Sequence, residues 1–278
     1  MSASASAAVR GRYHPRGLAL AFALASALLL AFIVLPLAQL YASQSEASLA
    51  HVAAMAEVRS AILLSLAAAL ATTACAGLLG VPLAYLLART KFPGKPVVEA
   101  IVDLPLAVPH TVVGIALLFV FGRTGIVGAP LEAWTGLKFW GTAAGVIIAM
   151  LYVSVPYAVN AARIGLESVD ERLEKVGRTL GAGRWAVFLR VTLPLGARGI
   201  LTGLALTFAR SISEFGAVIV LTYYPMTAPV KIYDLFLQSG LGDSSAMAAL
   251  FLAITLSLFI ASRYLFRERR EPGSASAR

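Results

Sequence analysis

Residues 60–88 read SAILLSLAAALATTACAGLLGVPLAYLLA, 29 consecutive positions without a charged side chain. A helix needs about 20 apolar residues to cross about 30 Å of hydrocarbon. The run shows none of the alternation that marks a strand of a membrane barrel, so it is expected to be a transmembrane helix. The same test picks out 17–41, 104–122, 141–162, 199–222 and 245–262. The expected fold is therefore all-α: a polytopic membrane protein of six spans. The third span is preceded by Glu99 and Asp103, and the fifth contains Arg210 and Glu214.

Composition agrees. The chain has 278 residues, 59% hydrophobic and 13% charged, with mean hydropathy +0.82. A soluble domain carries about 25% charge, so there is too little charge here to cover a water-facing surface. The net charge of +9 raises the question of nucleic acid. The basic residues punctuate apolar runs and form no stripe, which speaks against it. Cys75 is the single cysteine, excluding an intrachain disulfide and a thiolate metal cluster. His14, His51 and His110 show no ligand spacing, and no metal site is expected.

Orientation follows from the positions of Lys and Arg. With the amino terminus inside, 18 of them fall on inner segments and four on outer ones (Arg59, Arg123, Lys138, Lys231). Both termini are expected in the cytoplasm, with tails at 1–16 and 267–278 flanking a transmembrane domain over 17–266 in the cell membrane. Arg10, Arg12 and Arg16 followed by the apolar run 18–40 resemble a secretory signal. That run is longer than a signal core, so it reads as a retained span. Trp134, Trp140, Tyr223 and Tyr224 fit an interfacial aromatic belt.

The polar interruption 163–198 is the one long inner loop, and loops of that length carry function. Ser168 to Glu171 has the S-x-x-E form of a capping box. Leu173, Val176 and Leu180 then share one helical face. Gly181 and Gly183 suit the positive-φ positions that stop a helix. A second short helix is expected over 184–191, ended by Pro194. On these residues alone, the segment either rests on lipid or docks a cytosolic partner.

Residues 173–185, LEKVGRTLGAGRW, followed by VTLP at 191–194, resemble the EAA loop of ABC-importer membrane subunits. Gly181, Val191, Leu193 and Pro194 keep that signature's spacing. Glu174 stands one place early for its acidic residue, and Val176 and Gly177 replace its alanines. The resemblance extends over about 80–266. GVPLAYLLART (80–90) and LPLAVPHTVVG (104–114) are similar to the molybdate/tungstate and sulfate branch of these permeases. SISEFGA (211–217) and TYYPMTAPV (222–230) look most like its molybdate/tungstate members, with the sulfate/thiosulfate permeases as the alternative. It implies a type I importer permease in which Glu174, Val176, Gly177, Gly181, Gly183, Trp185, Val191, Leu193 and Pro194 couple to an ATPase. The partners implied are a second permease copy, two cytosolic ATPase subunits, an extracytoplasmic oxyanion-binding protein and membrane lipid, with no nucleic acid. No G-x-x-x-x-G-K-[S/T] phosphate loop occurs, and the only Gly-Lys pair, Gly94-Lys95, precedes Pro96. No catalytic residue and no cofactor are therefore expected in this chain; ATP and Mg²⁺ would sit on the ATPase.

The expected pathway lies around Arg210, which eleven residues past Gly199 falls about 16 Å into the fifth span. Intramembrane charge faces a partner or a watery cavity. Arg210 and Glu214, four residues apart, either face an oxyanion or form a salt bridge that fixes helix packing. Ser211 and Ser213 either donate to an oxyanion or bond back to the preceding turn. Pro105 and Pro109 bend the third span, as a gate or as a packing kink, with His110 beside them at a cavity edge or packed. A different class, an intramembrane aspartyl protease, is suggested by Tyr233-Asp234 and Gly240-Leu241-Gly242-Asp243. Those aspartates are nine residues apart in one expected outer loop, which speaks against a dyad.

Overall fold

The computed structural model describes residues 16–267. The terminal tails expected at 1–16 and 267–278 lie outside the described residues except for Arg16 and Arg267, the end residues of the first and last helices. The chain divides into two units, residues 1–45 and 46–278. The first holds α1 (Arg16–Ala42), a 27-residue helix with Pro36 inside it. At 1.5 Å per residue this is about 40 Å, enough to cross a bilayer.

The second unit continues with α2 (Glu46–Ala54), α3 (Ala56–Arg89), α4 (Lys95–Ala107), α5 (His110–Phe121), α6 (Gly128–Thr135) and α7 (Ala143–Glu167). Then come α8 (Glu171–Thr179), α9 (Arg184–Val187), a π-turn (Phe188–Thr192), α10 (Leu193–Ile212), α11 (Gly216–Leu221), α12 (Ala228–Ser239) and α13 (Gly242–Arg267). Among the described residues there is no strand. Among the described residues five helices are long and apolar enough to cross a membrane, six if the bent pair α4–α5 counts as one span.

The 34-residue α3 is the spine of this unit. Its Ala61, Ile62 and Ala69 join a core with Val52 of α2, Ala228 of α12 and Met247 of α13. Ala68 joins a second core built from α5, α7 and α11. Ala84 and Leu87 join a third with Val159 and Leu166 of α7 and Ile200 of α10. Between α7 and α10, small residues bring the backbones together. A Cβ on Gly199 would lie 2.4 Å from the Gly165 Cα, so only glycine permits this approach. Ser65 of α3 accepts the Ala228 amide at 2.7 Å, satisfying a free donor at the start of α12.

Two expected spans are discontinuous. The third breaks at Val108-Pro109, and α4 and α5 meet at 114°. Proline lacks an amide and forces the preceding residue out of the helical region, and Val108 is extended at ψ 131°. Pro105 stays inside α4, in its last turn. The fifth span, expected unbroken over 199–222, runs instead over Arg184–Ile212 and stops at 213–215 before α11. Arg210 is thus in the last turn of α10, not midway along a helix.

The expected 36-residue interruption also shrinks. α7 extends to Glu167 and helix resumes at Glu171, leaving 180–183 as the real turn. Pro194 does not end the second helix. The chain stays helical from Arg184 to Ile212, because a π-turn pairs the Leu193 amide with the Phe188 carbonyl five residues back. That wider turn changes the bonding register just ahead of the residue that has no amide.

Candidate functional site

Two places gather the residues singled out in the sequence. The first is the helical turn at 168–194. α8 is capped by Asp170, whose carboxylate accepts from the Arg172 amide at 2.9 Å. The expected capping box is not formed, since Ser168 Oγ donates back to the Gly165 carbonyl. Gly181 takes φ +87°, as a helix stop requires, whereas Gly183 has an ordinary φ of −64°. The Ala182 amide reaches the Gly177 carbonyl at 3.1 Å, completing a tight C-terminal turn. Gly177 packs on α9, where a Cβ would stand 3.1 Å from Val187 Cγ2.

The faces of α8 divide sharply. Leu173, Val176 and Leu180 are exposed, the last at 82%. Glu174 is buried on the other side. Its Oε1 accepts from Arg89 Nε at 2.8 Å and from Thr192 Oγ1 at 3.0 Å. Arg89 also donates to the Val169 carbonyl at 2.9 Å. Glu174 therefore ties α8 to the end of α3 and to the π-turn. Trp185 is exposed and meets Phe188 edge-on, which in turn meets Tyr85 of α3. Val191 and Leu193 are half-buried along the same helix, and Pro194 is exposed.

The second place lies where the two broken spans meet. Arg210 Nη2 donates to Glu214 Oε2 at 2.8 Å and to His110 Nε2 at 2.7 Å. Glu214 is 1% exposed, and its Oε1 accepts the Ala217 amide at 2.8 Å. One carboxylate thus neutralises the guanidinium and caps the start of α11, where an unpaired amide in hydrocarbon would cost several kcal/mol. His110 opens α5 directly after the break at Pro109. The contact is close: a Cβ on Gly216 would lie 2.8 Å from the His110 Cβ. Among the described residues, the Nε and Nη1 groups of Arg210 make no hydrogen bond to protein, leaving three N–H donors.

Ser211 and Ser213 both bond back, to Phe208 and to Ala209 and Arg210. Pro105 is buried in α4 and Pro109 is exposed at the break. α4 is held to α7 by Arg163–Glu99 at 2.6 Å and Asn160–Asp103 at 2.6 Å. Sequence reasoning missed Arg89, Thr192 and Asn160 as partners, because their contacts are 18 to 85 residues away in the chain and follow no local spacing.

At the other end of α3, Lys231 of α12 bonds Glu57 at 2.7 Å and Asp234 at 3.1 Å. Asp234 also accepts from Tyr223 and Gln238. Burial pushes the Asp234 carboxyl upward, but the bonds from Tyr223, Lys231 and Gln238 outweigh it and hold it below the usual carboxylate value. No bond joins Asp234 to Asp243, which sits in the first turn of α13. The two aspartates form no dyad, and Trp140 is occupied with Glu132 and Arg123.

Residues 80–271 match the family model of the binding-protein-dependent transport system inner membrane component. The molybdate/tungstate transport system permease protein WtpB of Thermococcus kodakarensis is 41% identical over 246 residues, 88% of this chain and 94% of that protein. The molybdenum transport system permease protein ModB of Escherichia coli K12 is 41% identical over 198 residues, 69% of this chain and 86% of that protein. A bacterial ABC transporter involved in alginate import superposes with a TM-score of 0.74 at 19% identity, covering 91% of this chain and 96% of that one. The MetNI methionine transporter in an inward-facing form gives 0.59 at 15% identity, over 76% and 94%. The fold is that of an ABC-importer permease, and the chain belongs to the family of inner membrane components of binding-protein-dependent transport systems.

Proposed function

We propose that this permease subunit carries molybdate or tungstate inward as part of an ATP-driven importer. The observation that carries the reading is its 41% identity, over nearly the full length of both chains, to a molybdate/tungstate permease. Two copies would form the pathway, two ATPase subunits would bind on the cytoplasmic side, and a binding protein outside would deliver the oxyanion. Both termini would be cytoplasmic and the membrane would be the plasma membrane, as the Lys/Arg asymmetry supports. ATP and Mg²⁺ would be bound by the partner ATPase.

In this reading the ATPase receives the exposed face of α8, Leu173, Val176 and Leu180, with the turn at Gly181. Such a face is how an amphipathic helix enters a groove. Movement of α8 would pass through Glu174 to Arg89 and to Thr192, and so into α3 and α10. The pathway would run past Arg210, whose three free N–H donors suit the planar, forked recognition of an oxyanion. Glu214 cancels the charge, keeping the site weak enough to release cargo, as conduction requires. Discontinuous helices at such a site are common in transporters, since irregular backbone survives only where protein or a cavity receives it.

Uptake of labelled molybdate by vesicles holding the full transporter, with tungstate or sulfate competing, tests the reading. Tungstate should compete as well as unlabelled molybdate, and sulfate much less. Sulfate competing equally would move the protein to the sulfate branch.

A further inference from the structure

A cavity of about 570 Å³ lies between the end of α3 and the inner face of the α8–α9 turn. We infer that it is a binding site for an anionic phospholipid, with the phosphate at Arg178 and Arg184 and an acyl chain along α3.

Charge comes first. The cavity is lined by four cations, Arg89, Lys175, Arg178 and Arg184, and two carboxylates, Glu171 and Glu174. Glu174 is taken by Arg89 and Glu171 by Lys175 at 3.7 Å. Among the described residues Arg178 and Arg184 have no ion-pair partner. The remaining charge of two positives calls for an anion, and guanidinium groups bind phosphate through paired N–H bonds.

The walls say what else the ligand has. Tyr85, Leu86, Val187 and Phe188 give an apolar and aromatic lining. Leu86 continues a stripe with Pro82 and Leu79 along α3, and Leu79 and Leu86 are 63% and 52% exposed. α3 is long and apolar enough to span the bilayer, so this stripe leads from the cations into hydrocarbon. A free oxyanion would need only the cations. A headgroup with a chain uses both, and arginine near the surface attracts acidic lipid at about 1 kcal/mol each.

The cavity is distinct from the face proposed for the ATPase. With 3.6 residues per turn, Glu171, Glu174, Lys175 and Arg178 lie on the side of α8 opposite Leu173, Val176 and Leu180. The inference requires only that the chain span a membrane; it does not depend on which oxyanion is carried.

Trp185 lines the cavity and serves as the reporter. The full chain carrying Trp134→Phe and Trp140→Phe is placed in phosphatidylcholine vesicles with a minor share of brominated phosphatidylglycerol or, separately, brominated phosphatidylcholine. Phosphatidylglycerol should quench Trp185 more strongly. Arg178→Gln with Arg184→Gln should reduce the preference on the order of fivefold per arginine, whereas Arg178→Lys with Arg184→Lys should retain most of it. Equal quenching by the two lipids, or an unchanged preference in the glutamine variant, would overturn the assignment. Relief of quenching by inorganic phosphate would assign the cations to a free oxyanion, and photocrosslinking from 184 to the ATPase alone would assign them to protein.

Discussion

Glu174 is the residue whose removal reports most directly on how the α8 turn is held. Its side chain and that of Arg89 are 11% and 9% exposed, and they meet at 2.8 Å. Glu174→Ala leaves a nearly buried guanidinium with only the Val169 carbonyl, and leaves Thr192 Oγ1 without its acceptor. Breaking a buried pair from one side costs about 3–5 kcal/mol. The adjoining cavity lets Arg89 turn toward water, which puts the expected loss near the lower end, about 3 kcal/mol. That corresponds to faster opening of α8 on the order of a hundredfold. Hydrogen exchange of the amides over 171–180, in the full chain in lipid nanodiscs, reads this opening without requiring global unfolding. The double variant Arg89→Leu with Glu174→Leu should lose less than either single change, because two apolar groups need no partner. Exchange unchanged in Glu174→Ala, or a double variant that loses the sum of both, would refute the tether and with it the route from α8 to α3.

At the intramembrane cluster, Glu214→Ala should abolish uptake and destabilise more than Glu214→Gln, since glutamine still accepts the Ala217 amide; the gap should be about 1–3 kcal/mol in detergent unfolding. Gly199→Val should prevent α7 and α10 from meeting at Gly165 and abolish assembly, visible as aggregation on size-exclusion chromatography. Gly181→Ala, which keeps space but opposes φ +87°, should cost about 1 kcal/mol in local exchange and weaken ATPase co-purification without changing topology. The Asp234 carboxyl is held below its ordinary value of 3.8, so its stabilising contribution is present above 3.8 and is lost as pH falls through the lowered value. Thermal unfolding in acid should show that loss, and Asp234→Asn should remove this part of the pH dependence.

Much of the architecture is legible along the chain. Apolar runs of twenty or more residues can be satisfied in lipid only by helices, so length and hydropathy determined the class and the approximate spans. The exposed faces of α8 were visible because helical periodicity is a local property: Leu173, Val176 and Leu180 align whatever surrounds them. The positive φ of Gly181 was equally local, and so was the break that Pro109 imposes. The spans that depart from expectation do so for reasons of backbone bonding. A π-turn carries the chain through Pro194, and Glu214 caps a new helix where hydropathy alone reads one unbroken span.

Only the tertiary structure decided which face of Glu174 matters. The family resemblance gives it a part in coupling without saying where its carboxylate points; the fold turns it inward onto Arg89, 85 residues away. The same holds for His110 and Arg210, brought within 2.7 Å across 100 residues. Sequence by itself determines what depends on neighbours a few residues apart: helix, face, turn and break. Which charges find one another depends on packing between distant helices, and the cost of an unpaired charge in a low dielectric makes those pairings specific once packing brings them near.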